Sequence, residues 1–211
     1  MTKKLTRVYA DYASAQNVVK VLNDAGITDV SLLASNAEGW HRPGHDSVDP
    51  RHDKDRDGSD DRVEGAAAGG GIGAMAGGAA GVAAGLGLIA IPGIGPIVAM
   101  GWLTSLVGGA IAGGIAGEVI GALAETGTSK ENAELYSEAL RRGGAIVTVQ
   151  ATPLEEHKAN AILDMGSIDV EARAALWRER GWKGYDPKAP AYTREQVLED
   201  RKLHSAPNRP L

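Results

Sequence analysis

The chain has 211 residues, 29 of them glycine, with no cysteine, no phenylalanine and a net charge of -5. That length allows one or two domains with a real core. The missing cysteines exclude disulfides, thiolate metal sites and a cysteine nucleophile, and the acidic balance (pI about 5.6) argues against a nucleic-acid partner, which a basic face would serve.

The N-terminal stretch MTKKLTRVYADYASAQ carries Lys3 and Lys4 but no apolar run behind them. A cleaved signal peptide is therefore not expected, and the chain is placed on the cytoplasmic side, not secreted. Residues 6–12, TRVYADY, alternate as a strand does. In ASAQNVVKVLNDAG, Ala15, Val18, Val19 and Leu22 fall at helical spacing, and Gly26 stands where a C-terminal cap belongs. DVSLLAS, 29–35, reads as a second strand, which completes a βαβ unit over 1–35.

Residues 36–64 form an acidic polar loop, too charged for a core. From Gly65 to Gly117 no residue is charged. In this block Gly65, Gly69, Gly73, Gly77, Gly81 and Gly85 recur every fourth position, and Gly101, Ser105, Gly109, Gly113, Gly117 and Gly121 do so again. Residues four apart share a helix face, and rows of small residues let two backbones approach closely, as in membrane helix pairs. Pro92 and Pro96 flank a turn between the rows. The expectation is a glycine-zipper helical hairpin over 65–124, with helices near 66–90 and 97–124. Helices of ~25 residues reach ~38 Å, enough for a ~30 Å hydrocarbon core. Leu103, Val107, Ile111, Ile115, Val119 and Leu123 form an apolar row offset by two from the second glycine row, hence on the opposite face. The glycines of both rows are the candidate self-association residues. The expected partners are further copies of the chain and membrane lipid, the latter at the inner membrane. The alternative is a soluble oligomer or filament with the hairpins buried between subunits.

After the block, TSKENAELYSEALRRGG is an amphipathic helix with Thr128 and Glu131 at capping-box spacing and Gly143 as its stop. Arg141 and Arg142 there complement the helix dipole. AIVTVQA is a strand. TPLEEHKANAILDMG is a helix with Thr152 as N-cap, Pro153 at N1 and Glu155 at N3. SIDVEARA reads as a last strand, closing a second half over 125–173. AGITDV at 25–30 and MGSIDV at 165–170 resemble each other, and a βαβ-βαβ duplication predicts a ferredoxin-like α+β sandwich with the hairpin inserted between strands two and three. Residues 174–211 form a Trp- and Tyr-rich C-terminal arm. Trp177, Trp182 and Tyr185 are its docking residues, whether onto its own domain or onto a neighbouring subunit.

The acidic lead-in DRDGSDDRVEGAAAG, then IPGIGPIVAMGW, then YSEALRRGGAIVTV resemble the bacterial general-stress or heat-induced stress protein family, whose members carry a similar glycine-rich insert. The resemblance covers roughly residues 5–172. It implies a bacterial source, a link to stress and no established activity, so it supplies no catalytic residues.

DKDRDGSDDRVE, 53–64, fits the D-x-D-x-D-G-x5-E pattern of a calcium loop. Asp53, Asp55, Asp57, Asp61 and Glu64 would be the ligands, with Glu64 at the position of the bidentate carboxylate. Asp60 stands where an apolar residue normally joins the fold, and a solvated acidic run is the competing reading. His41, His45 and His52 lie nearby and read as loop histidines. GGGIGAMAGG follows no strand and contains no GK[ST], so it is not a phosphate loop. No nucleophile, base and orienting acid are grouped by spacing. The residues thus predict a non-enzymatic protein that assembles, to which the resemblance adds a link to stress, with a calcium-responsive binding module as a further alternative and no cofactor beyond a candidate calcium ion.

Overall fold

Two short stretches of alternating apolar residues, KKLTRVY and AIVTVQA, pair along their whole length. In the computed structural model β1 (Lys3–Tyr9) and β5 (Ala145–Ala151) run antiparallel from Lys3–Ala151 to Tyr9–Ala145. The structure describes residues 2–40, 87–91, 94–103, 107 and 118–205. Besides β1 and β5, these residues contain β2 (Val30–Ser35), β3 (Gly87–Ile91) and β4 (Gly95–Met100). The helices are α1 (Tyr12–Asp24), α2 (Glu118–Ala124), α3 (Lys130–Arg141), α4 (Glu156–Leu163), α5 (Val170–Glu179) and α6 (Arg194–Ser205). The five strands form one antiparallel sheet in the order β1-β5-β2-β4-β3.

The period-two pattern divides the sheet into two apolar faces. Leu5 and Tyr9, Val30, Leu32 and Ala34, and Ala145, Val147 and Val149 point one way, where α1 and α4 cover them with Val18, Val19, Leu22, Ile162 and Leu163. Val8, Leu33, Ile91, Ile97, Ala99 and Ile146 point the other way, under α2, α3 and α5. β2 is buried at every position, as a strand covered on both faces must be.

Helix ends follow local chemistry. Asp11 caps α1 by accepting from Ser14 N at 2.9 Å, and Gly26 leaves the helix at φ +85°. The cap of α3 is Ser129, one residue after the expected Thr128, and it accepts from Asn132 N. Glu155 accepts from the Thr152 N–H at 2.9 Å and from the Thr152 hydroxyl at 2.7 Å, which is the carboxylate half of a capping box only, and Glu155, not the expected Thr152, stands at the N-cap of α4.

Two expectations are corrected. The strand expected over 167–174 shrinks to a single bridge between Ser167 and Tyr9, after which Asp169 caps α5 by accepting from Ala172 N. An N-capping aspartate followed by the helix formers EARAAL outweighs the strand pattern. The helices expected near 66–90 and from 97 onward are not what forms around the Pro92–Pro96 turn. Residues 87–91 and 95–100 are strands, because the edge of β2 offers β4 a ladder and β4 in turn offers one to β3. The rest of the first expected helix lies outside the described residues.

Candidate functional site

The β3–β4 hairpin is built by its turn residues. Gly95 sits at φ +102°, Ile94 N donates to Ile91 O at 3.1 Å, and Ile91, Ile94 and Ile97 sink into the core. β4 lies against β2 from Leu32–Met100 to Ser35–Ile97. Asn36 N donates to Pro96 O at 2.7 Å, so the polar groups of Pro96 face β2 and not β3. After β4 the chain bends at Gly101, φ +82°, where a Cβ would stand 2.3 Å from Val30 O. Leu103 N then donates to the buried Ser31 Oγ at 3.0 Å.

A second constellation lies at the C-terminal end of α3. The Glu138 carboxylate is fully buried and carries two guanidinium groups: Arg141 at 2.7 Å and Arg142 at 2.6 Å. Arg142 also reaches Asp200 of α6 at 2.7 Å. Its guanidinium carbon lies 4.6 Å from the Trp177 ring centre and 5.0 Å from that of Tyr192, within cation–π range of both. Gly143 at φ +94° lets Val197 of α6 close onto the backbone, and Arg201 pairs with Glu38 beyond β2. The C-terminal segment is thereby clasped to the domain by charge, aromatic stacking and close packing together. With each of these charges neutralised by a partner, the cluster is a clamp and not an acid–base pair.

A groove of about 550 Å³ runs between α1 and the sheet, with Leu32 and Met100 as floor and Gln16, Lys20 and Asn23 on its wall. Tyr12 at its mouth stacks on Trp40 with ring centres 3.7 Å apart. The shifted titrations belong to structural groups. Burial pushes the Tyr9 phenol far above its ordinary value while its hydroxyl donates to Leu163 O at 2.6 Å. Burial likewise raises Tyr136 and Tyr192. Hydrogen bonds from Thr152 hold the Glu155 carboxyl below its ordinary value.

Trp177 is 2 % exposed in the core, and Trp182 and Tyr185 pack partly buried against the same cluster, so the arm folds onto its own domain. Gly101 is not part of a helical row, since it makes the bend after β4 against the backbone of β2. Gly121 lies exposed on α2, and among the described residues nothing comes within 4 Å of a Cβ built there. Gly69, Gly73, Gly77, Gly81, Gly85, Gly109, Gly113 and Gly117 lie outside the described residues, as do Asp53, Asp55, Asp57, Asp61 and Glu64 and the three loop histidines. Among the described residues no group of three or more His, Asp or Glu side chains gathers to hold a metal, and no helix is long and apolar enough to cross a membrane. Arg141 and Arg142 do more than complement a helix dipole. Glu138, placed three and four residues before them on one helix face, was the signal for their pairing.

No protein-family model, no curated protein and no solved structure matches the chain.

Proposed function

We propose that this is a non-enzymatic, stress-linked bacterial protein that self-associates through its charge-free segment, with the α+β domain as the carrier. One observation carries the reading. The charge-free run from Gly65 to Gly117 enters the domain as β3 and β4, so among the described residues an uncharged strand is the last in the sheet. Long uncharged, glycine-rich segments that stay in register are packing devices and not linkers, which are usually polar.

The carrier itself reads as a ferredoxin-like split βαβ domain. Supporting this, β5 lies between β1 and β2, the two crossover helices α1 and α4 share one face, and the Tyr9–Ser167 bridge stands beside β1 where a fourth strand would run. The hairpin Gly87–Met100 extends that sheet beyond β2.

Membrane lipid is the second partner in this reading, favoured by the lack of charge over 65–117. The test is sedimentation velocity of the full chain, with flotation on liposomes in parallel. Particles larger than one chain without lipid support protein–protein assembly, and comigration with liposomes adds lipid to it. A chain that stays monomeric and sediments away from liposomes refutes the reading. Replacing Gly73, Gly77 and Gly81 by leucine is expected to abolish the assembly.

A further inference from the structure

Among the described residues the sheet ends in β1 on one side and β3 on the other, and the two edges are treated differently. Edge strands expose unpaired N–H and C=O groups, and proteins guard them with charge, brevity or cover. β1 is guarded: Lys3, Lys4 and Arg7 lie on it, Lys3 pairs with Glu156 and Arg7 with Asp164, and Ile168 N donates to Val8 O beside the Ser167 bridge. β3, Gly-Leu-Ile-Ala-Ile, has no charge, no proline and, among the described residues, no strand beyond it.

The phase of its hydrogen bonds can be worked out. In an antiparallel ladder, residues that exchange both bonds alternate with residues that exchange none. Ala90 stands opposite Pro96, which has no N–H and whose carbonyl is taken by Asn36 on the β2 side. The pair Ala90–Pro96 is therefore of the non-bonded kind, and Gly87–Ala99, Ile89–Ile97 and Ile91–Gly95 are the bonded pairs. Leu88 and Ala90 then direct their N–H and C=O away from β4, off the edge of the sheet.

We propose that β3 pairs with β3 of a second copy, antiparallel, across a two-fold axis at Ile89. That register sets Leu88 opposite Ala90 of the mate and Ala90 opposite Leu88 of the mate. Each pair exchanges both bonds, roughly four in all, so every polar group that β3 turns outward is used. A strand with no charged or hydrogen-bonding side chain can recognise only another backbone edge flanked by apolar residues. Each copy of this chain offers one. The contact is isologous and closes on itself. The outer edges of the doubled sheet are then both β1, guarded by lysine and arginine, which stops growth at two copies by this route. The inference deepens the self-association proposed above and rests on it, giving that assembly its first contact.

The test is residue-resolved amide hydrogen exchange on the full chain at high and low protein concentration, with sedimentation alongside. The Leu88 and Ala90 amides are expected to be protected at high concentration and to exchange faster on dilution. The Ile89 and Ile91 amides, bonded to β4, are expected to keep their protection at both. Ala90→Pro removes an outward N–H that β4 does not use, at a position an edge strand tolerates. It takes two bonds from the dimer and is expected to weaken it roughly ten- to a hundred-fold, with the unfolding midpoint of the dilute protein little changed. If Leu88 and Ala90 are protected equally at every concentration, another segment of the same chain covers the edge and the inference fails. If they exchange freely while the protein still assembles, or if Ala90→Pro dimerises like the parent, the inference fails and the assembly reading stands. A monomer at all concentrations ends both.

Discussion

Gly143 offers a sharp test of how the C-terminal segment is seated. It leaves α3 at φ +94°, and a Cβ there would lie 2.3 Å from Val197 Cγ1. Gly143→Ala meets two costs. Holding an L-residue in the left-handed region costs about 1–2 kcal/mol. Forcing a methyl against a fully buried valine, whose branched side chain has little rotamer freedom, adds about 1–3 kcal/mol of overpacking. Val197→Ala alone deletes two methyl groups, about 1.6 kcal/mol at ~0.8 kcal/mol each, before any cavity term. Independent effects would sum to about 4–7 kcal/mol in the double variant. The clash disappears with Cγ1, however, because the next contact, with Val197 Cβ, is an ordinary 3.4 Å. The double variant should then lose only about 3 kcal/mol, the conformational term plus the truncation. The assay is urea unfolding of the four proteins, followed by tryptophan fluorescence, since Trp177 and Trp182 meet edge-to-face beneath this segment. Free energies that add to within about 0.5 kcal/mol would show that α6 does not rest on Gly143. A coupling that appears only at high concentration would instead mean the arm is exchanged between copies.

Glu138→Gln removes the one anion shared by Arg141 and Arg142 in the core, and breaking such a buried pair should cost about 3–5 kcal/mol. A loss under about 1 kcal/mol in urea unfolding would contradict that burial. Gly101→Ala should lower stability by at least about 2 kcal/mol, because φ is +82° and the Cβ meets the Val30 carbonyl. If it instead left stability intact and abolished assembly, Gly101 would belong to a packing row after all. Stability should fall as pH rises past 10.0, the ordinary value of the phenol. Above it the unfolded chain releases the Tyr9 proton while the native state, whose pKa is raised by burial, keeps it. Tyr9→Phe should flatten that alkaline slope and cost about 1 kcal/mol at neutral pH for the lost bond to Leu163 O. An unchanged slope would move the effect to Tyr136 or Tyr192, whose phenols are raised in the same direction.

What the sequence made legible was what is encoded locally. The amphipathic faces of α1 and α3, the stops at Gly26 and Gly143 and the hydrogen bond between Thr152 and Glu155 follow from spacings of three and four residues. The turn at Pro92–Pro96 was visible too, but not what it joins. A glycine row read at period four continues smoothly into LGLIAIPGIGPIVAM, and nothing local marks where helical spacing yields to a strand ladder with β2. That pairing is non-local, and periodicity carries no information about it. Ser167 shows the reverse case. MGSIDV matches the strand-entry pattern of AGITDV, yet Asp169 caps a helix and only one bridge remains. The clasp was the least legible part. Glu138, Arg141 and Arg142 look like an ordinary solvated charge pattern until Asp200, 58 residues on, and Trp177 close over them.

A close contact joins the clasp to the β3–β4 hairpin. A Cβ at Gly95 would stand 3.0 Å from the Ala191 Cβ, so the stretch leading into α6 lies against the base of the β3–β4 hairpin. From Arg142 the chain of contacts runs through Tyr192 to Ala191, then Gly95, then β4, which positions β3. Antiparallel pairing tolerates little error, because a one-residue slip turns every side chain to the other face. A hairpin only two strands wide is marginal unless something holds it. Here β2 holds one side and the C-terminal segment holds the turn. A variant that loosens the clasp without unfolding the core, Asp200→Asn, should therefore speed amide exchange at Ile89 and Ile91 as well as at Leu88 and Ala90, whereas Ala90→Pro should leave Ile89 and Ile91 protected. Equal patterns in the two variants would separate the arm from the hairpin and leave the close approach at Gly95 without a mechanical role.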